Sequence, residues 1–268
     1  MAGQYKSVFR GVGIEFDQVR EYSPGDDVKT LDWKVSARFG KPFVKQYKEE
    51  RESIVMLMID MSASLQFGTF SGPKLEKAAE VASVLAFNAI KNNDKVGVVF
   101  FTDQVEKYIP PKKGSSHIWR VIKEIFTFKP QGLNTNISNA LDYLSRISKK
   151  RSLVFILSDF LDDDYLKSLR ILRQKHEIIG VNIYDKGSFS LPDKGILLLH
   201  DLETSRQIVL DGFNRKIRNQ YNSTRKKDHI ATNEIFKKAK SDLIALEASS
   251  SVSETLLKYF RFRERRLR

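Results

Sequence analysis

Residues 54–64 read IVMLMIDMSAS: six apolar residues, Ile54 to Ile59, then Asp60, then serine at every second position, Ser62 and Ser64. A strand with no polar member has no solvent side. It reads as covered on both faces, which is the habit of a parallel sheet inside an α/β domain. In open sheets of that kind, ligands bind at the carboxyl ends of the strands. The same eleven residues therefore constrain the fold and mark a candidate site.

Strand and helix patterns alternate beyond this point. Strands are expected at 53–59, 95–101, 152–158 and 177–183, and helices at 74–91, 115–126, 137–148 and 163–175. Such alternation builds βαβ units and a largely parallel sheet. The 74–91 helix is apolar over most of its circumference, so it is expected to be well buried. VEKYIPP (105–111) reads as an edge strand, because its prolines cannot serve a central ladder. Two short strands are expected within 195–210 and a long basic helix over about 214–240. DLIALEA (242–248) reads as a last strand of the same sheet. A terminal helix follows in 251–268, capped by Ser251 or Ser253.

Residues 1–50 differ, being polar and rich in glycine and charge. Pro24-Gly25 suits a type II turn, Asp26 or Asp27 could cap a helix through 28–39 ended by Gly40, and 41–50 reads as a strand. Arg20, Asp26, Asp27, Asp32, Trp33 and Arg38 form a dense set, favoured as a salt-bridged, capped segment over a second site, with Trp33 as an anchor to the core. The expected organisation is an N-terminal segment, 1–50, packed on a main domain, 51–268.

Asp60, Ser62 and Ser64 offer one carboxylate and two hydroxyls, hard oxygen ligands suited to Mg²⁺, Mn²⁺ or Ca²⁺. Thr135, just before a helix, and Asp159, just after a buried strand, would meet them at the same sheet edge. This set of at most two carboxylates and three hydroxyls under-neutralises a cation and leaves it an open position for an external oxygen, such as a partner's acidic side chain. Read alone, Asp60 would serve equally to cap a turn, with the serines satisfying loop amides. Asp162, Asp163 and Asp164 read as a helix N-terminus favoured by the dipole. The four histidines lack metal-ligand spacing and read mostly as surface residues.

Asp60-Met61-Ser62-Ala63-Ser64, Thr135 and Asp159 resemble the metal-ion-dependent adhesion site of von Willebrand factor type A domains. The run FRGVGIEFDQVREYSPGDDVKTLDWKVSARFGKPFVKQYKEERE (9–52), with NNDKVGVVFFTDQVEKYIPPKKG (92–114) and VFILSDFLDD (154–163), is similar to one bacterial subfamily, the domain-of-unknown-function family number fifty-eight. That resemblance implies a three-layer α/β, von Willebrand factor A-like (Rossmann-like) fold with one divalent cation at the sheet edge. It also implies a non-enzymatic adaptor role beside a MoxR-type AAA+ ATPase or that ATPase's client. Two departures stand out. Family members usually carry further residues ahead of this start, so the N-terminus is expected to be shortened. Many also have Asp where this chain has Asn136.

Two other functions compete. An aspartyl-phosphate phosphohydrolase would place its nucleophile at Asp60, but Ser62 stands where its second aspartate belongs and no lysine is clearly placed. Nucleic-acid binding is suggested by charge. The chain carries a net +13, and residues 211–268 hold 15 Lys+Arg against 7 Asp+Glu, an excess of eight. No reading motif accompanies it, and Tyr259, Phe260 and Phe262 are more simply a helix face packed on the sheet. Cysteine is absent, which excludes disulfides and thiolate chemistry and fits a cytoplasmic address. No stretch approaches the roughly 18 apolar residues of a membrane span, and the first residues lack the apolar core of a signal peptide.

Overall fold

The computed structural model describes residues 15–48, 53–68, 72–200, 202–203 and 206–267. They fall into two compact units, one within residues 9–53 and the other from Ile54 onward.

The larger unit carries a six-stranded sheet in the order β10-β7-β6-β3-β4-β5. Its strands are β3 (Ile54–Asp60), β4 (Lys95–Phe101), β5 (Val105–Lys112), β6 (Leu153–Ser158), β7 (Glu177–Tyr184) and β10 (Asp242–Glu247). All neighbours are parallel except β4 and β5. The prolines of β5 thus sit on the antiparallel edge, where a missing N–H costs no central ladder bond. Between the strands run α2 (Lys74–Lys91), α3 (Ser115–Thr127), α4 (Ile137–Ile147), α5 (Leu166–Lys175), α6 (Arg215–Lys238) and α7 (Val252–Leu267).

The two-faced burial expected of β3 is present. Met56 and Met58, with Val99, Phe101, Val154 and Ile156, face a core completed by Ile137, Leu141 and Leu144 of α4, Leu169 and Leu172 of α5, and Phe236 of α6. The alternate residues Val55, Leu57 and Ile59 are equally buried, on the face covered by α2, with α3 and α7 beside it. The chain is a three-layer α/β sandwich with a mostly parallel sheet. Gly180 of β7 has a packing reason: a Cβ there would lie 2.5 Å from Phe236 Cζ, so the α6 aromatic closes directly onto strand backbone.

Several boundaries move for identifiable reasons. The 163–175 helix starts only at Leu166, after Asp164 takes a left-handed φ of 64°. Asp162 lies outside that helix; its Oδ2 instead accepts the Ile137 amide at 2.7 Å, capping α4. His176 is buried, 1% exposed, where a surface position was expected. Its Nδ1 accepts the Ser152 amide at 3.2 Å. Arg263 of the basic C-terminus is held in ion pairs. It pairs with Glu177 and Asp242, beside the bond from the Tyr259 hydroxyl to Asp242. Phe260 is buried as expected, whereas Phe262 is 63% exposed. No helix among the described residues is long and apolar enough to cross a membrane.

The smaller unit holds an antiparallel pair, β1 (Glu15–Glu21) and β2 (Phe43–Lys48), flanking α1 (Trp33–Phe39). The single helix expected over 28–39 is two, because both aspartates act as caps. Asp27 caps a 3-10 turn at 28–30, and Asp32 starts α1 by accepting the Lys34 and Val35 amides. Gly40 ends α1 in the left-handed region, as expected. Arg20 binds Asp26 in a two-bond fork at 2.8 and 2.7 Å. Within its own unit Trp33 is not buried; it is 71% exposed.

A two-stranded sheet, β8 (Ile196–His200) with β9 (Gln207–Asp211), forms a hairpin between β7 and α6.

Candidate metal centre

The chain runs from β3 to β4 and β5 on one side of the sheet, then returns to β6 on the other side of β3. The strand order therefore reverses between β3 and β6, and the crevice at such a switch point is where open α/β sheets bind ligands. Asp60 closes β3 and Asp159 directly follows β6, so both carboxylates stand at this crevice.

Asp60 is fully buried. Its Oδ1 accepts the Ser62 amide at 2.9 Å, and its Oδ2 accepts the Ser158 hydroxyl at 2.6 Å. Ser158 in turn accepts the Phe160 amide at 2.9 Å. Ser62 is also fully buried, and its hydroxyl lies 3.1 Å from that of Ser64. Phe160 adopts φ 54°, a costly conformation for a bulky side chain, immediately after Asp159. Strain stored there accords with a backbone held to place a neighbouring functional group.

Asp159 is 6% exposed and binds the ammonium of Lys74 at 2.5 Å. Lys74 opens α2, whose first turn is tied to the serine loop through the Leu75 amide and the Leu65 carbonyl, 2.8 Å apart. Burial first, then the charge of Asp159, push the Asp60 carboxyl up to about 7. With both carboxylates ionised, two carboxylates and one ammonium leave this buried cluster with one net negative charge. A carboxyl that retains a proton near neutral pH for want of a counter-charge is suited to exchange it for a cation.

The Thr135 loop is held alongside. The Ala63 amide donates to the Leu133 carbonyl at 2.9 Å, and the Asn136 amide to the Thr102 carbonyl at 3.0 Å. Glu106 accepts the Gln131 and Gly132 amides at 3.1 and 2.7 Å, and the Thr102 hydroxyl at 2.8 Å. Gly132 has no room for a side chain, since a Cβ would sit 2.3 Å from Thr102 Oγ1. Asn136 caps α4 through the Asn139 amide. The Thr135 hydroxyl donates to Glu203 Oε1 at 2.9 Å rather than to the aspartates or serines.

Asp60, Ser62, Ser64 and Asp159 thus converge, and Thr135 lies on the adjoining loop. Among the described residues no three Asp, Glu, His or Cys side chains gather as a metal cluster. The oxygens here are two carboxylates supplemented by hydroxyls, which fits a hard divalent cation that keeps waters or an outside ligand. Sequence reasoning missed Ser158, Lys74 and Glu203. Ser158 alone carried a signal, as the residue between a buried strand and Asp159.

A family profile described as "Protein of unknown function DUF58" matches residues 18–231. The uncharacterized protein Rv1480 of Mycobacterium tuberculosis is 32% identical over 214 residues, covering 78% of this chain and 68% of its own length. YeaD of Bacillus subtilis, also uncharacterized, is 25% identical over 107 residues, 40% of this chain and 25% of its own. Among solved structures, the conserved hypothetical protein BatB of Bacteroides thetaiotaomicron aligns with a TM-score of 0.53 at 16% identity, covering 80% of this chain and 99% of its own. An aerotolerance-related membrane protein of Bacteroides fragilis gives a TM-score of 0.52 at 17% identity, with the same coverage. At these identities the likeness is one of fold, and that fold is von Willebrand factor A-like.

Proposed function

The chain belongs to the DUF58 family, and from that premise we propose that it is a non-enzymatic interaction module that binds one divalent cation, Mg²⁺, Mn²⁺ or Ca²⁺, and through it an acidic side chain of a protein partner. Asp60, Ser62, Ser64, Thr135 and Asp159 would hold the cation. When bound, it supplies a Lewis-acidic position open to an outside carboxylate. The observation that carries this reading is the buried, under-compensated carboxylate pair at the β3–β6 switch point. The chain's own groups set up the exchange. Ser158 and the Ser62 amide orient Asp60, and Lys74 steadies Asp159.

A MoxR-type AAA+ ATPase, or its client, is the proposed partner, and the cytoplasm the proposed location. The test is binding of the purified ATPase in Mg²⁺ and in chelator, with wild type and Asp60→Ala. Binding that needs Mg²⁺ and is lost in the variant is expected. Equal binding in all four conditions sinks the proposal.

One observation favours a second reading. The lysine that an aspartyl-phosphate phosphohydrolase needs, unplaced from sequence, has a candidate in Lys74. In that chemistry the Asp60 carboxylate would attack the ester phosphorus and displace the alcohol, and water would then cleave the aspartyl-phosphate to return the carboxylate and release phosphate. Lys74 binds Asp159 rather than Asp60, and Ser62 still stands in place of the second aspartate, so the interaction module is preferred. Turnover of p-nitrophenyl phosphate with Mg²⁺, abolished by Asp60→Asn, would reverse that preference.

A further inference from the structure

Between α2 and α3 lies an open cleft of about 530 Å³, a size typical of ligand sites. Its α2 wall is a stripe of Glu76, Glu80, Ser83 and Phe87, at spacings of four, three and four residues. That spacing keeps the side chains on one face of the helix, the pattern by which one helix seats against another. The α3 wall is Ile122 and Phe126, one turn apart. Trp119 continues it and meets Phe87 edge-on, with ring centroids 5.4 Å apart. Trp119 is 59% and Phe126 62% exposed. Large apolar side chains clustered in the open mark an interaction surface.

The polar groups of the cleft share a capacity to accept hydrogen bonds. Glu76 and Glu80 offer carboxylates. The Ser83 hydroxyl oxygen is buried and has no hydrogen-bond partner, although a helical serine can ordinarily donate to the carbonyl one turn back. Aromatic rings add an attraction for cations. Lys77, the cation of the lining, is already engaged, with Glu80 at 2.8 Å and with the Ser250 carbonyl at 3.3 Å. Two carboxylates and that ammonium give the wall one net negative charge, in a chain whose net charge is +13. From Pro73 to Phe87 the cleft follows α2 for roughly 20 Å, the length of about four helical turns. Its chemistry and its length both suit a helix that is apolar on one side and basic beside it.

We infer that the α2–α3 cleft is a docking groove for a basic, amphipathic helix of a protein partner. The apolar side of that helix covers Phe87, Trp119, Ile122 and Phe126, and its lysines or arginines face Glu76 and Glu80. The groove needs no bound cation, so it stands independently of the metal centre.

The test is titration of the full chain, in chelator, with a synthetic peptide of about sixteen residues, leucine and lysine only, its leucines at i, i+3, i+4 and i+7. Trp33→Phe leaves Trp119 as the sole tryptophan, so its emission reports on the cleft. Saturable binding with a blue shift is expected. Phe126→Glu, and separately Glu76→Lys combined with Glu80→Lys, should each weaken binding by about tenfold or more. All three positions are exposed, so the core is left intact. A peptide with glutamate in place of lysine should bind about tenfold more weakly, although the net charge of the chain would favour it. No binding of the lysine peptide, tighter binding of the glutamate peptide, or wild-type affinity in both variants would overturn the inference. So would a concentration-dependent dimer, seen by sedimentation, that Phe126→Glu abolishes, since a second copy of the chain would then fill the cleft.

Discussion

The Lys74 and Asp159 side chains are 9% and 4% exposed, so their ion pair is protected from solvent on both sides. Breaking a buried pair by removing one partner leaves an uncompensated charge and typically costs about 3 kcal/mol or more. Lys74→Met should therefore lower Tm by roughly 6–12 °C in chelator. Millimolar Mg²⁺ should recover most of that loss, because a cation restores the missing positive charge. Equal melting with and without Mg²⁺ would show that the ammonium and the cation do not share a role. At this scale the sequence was readable where a residue follows an apolar strand, as Asp60, Ser62, Ser64 and Asp159 do. Lys74 was hidden because it is one of 46 lysines and arginines and opens a helix. Nothing in linear spacing says that the first turn of α2 overhangs the sheet edge. Glu203 was hidden for a related reason, since only the hairpin's folding brings it to Thr135.

Elements were legible where their periodicity is strong. The central strands and α2 have a single burial pattern, and their expected bounds lie within about one residue of the observed ones. Elements that rely on tertiary partners were not. β1, EFDQVRE, carries only two apolar residues and is a strand because β2 pairs with it. The 28–39 region reads as one helix by propensity, but Asp32 competes for the backbone amides ahead of α1 and splits it. Packing between elements yields a further expectation. Gly180→Ala would force a methyl into the Phe236 ring and part α6 from β7, so it should cost about 1–3 kcal/mol, read from the denaturant midpoint. Pairing it with Phe236→Leu, which frees the space, should cost less than the sum of the two single changes. Simple additivity would show that the ring contact is not the cause.

The molecule as a whole was legible as an α/β sandwich because its βαβ alternation leaves few topologies open. Its basic charge is partly internal, with Arg263 on Glu177 and Asp242 and Arg218 on Asp193. Global stability should carry the mark of His176. Burial first, then the charge of Lys175, hold its imidazole down to about 4. The unfolded chain takes up that proton near the ordinary value of 6.5, so between the two values the unfolded state binds more protons. The resulting stabilisation is present above about pH 6.5 and is lost as pH falls towards 4, by an amount on the order of 3 kcal/mol. Denaturant midpoints across this range should fall more steeply for wild type than for His176→Asn, and parallel profiles would contradict the assignment.

The proposed function stands or falls with a cation held in the β3–β6 crevice and presented to a carboxylate. Calorimetric titration of the chelator-stripped chain with Mn²⁺ and Mg²⁺, run beside Asp60→Ala, tests it most directly. Saturable binding of about one ion per chain, lost in the variant, is expected. An absence of binding up to millimolar metal, or identical binding by the variant, would contradict it and leave Asp60, Ser62 and Ser64 as a polar loop at the end of a buried strand.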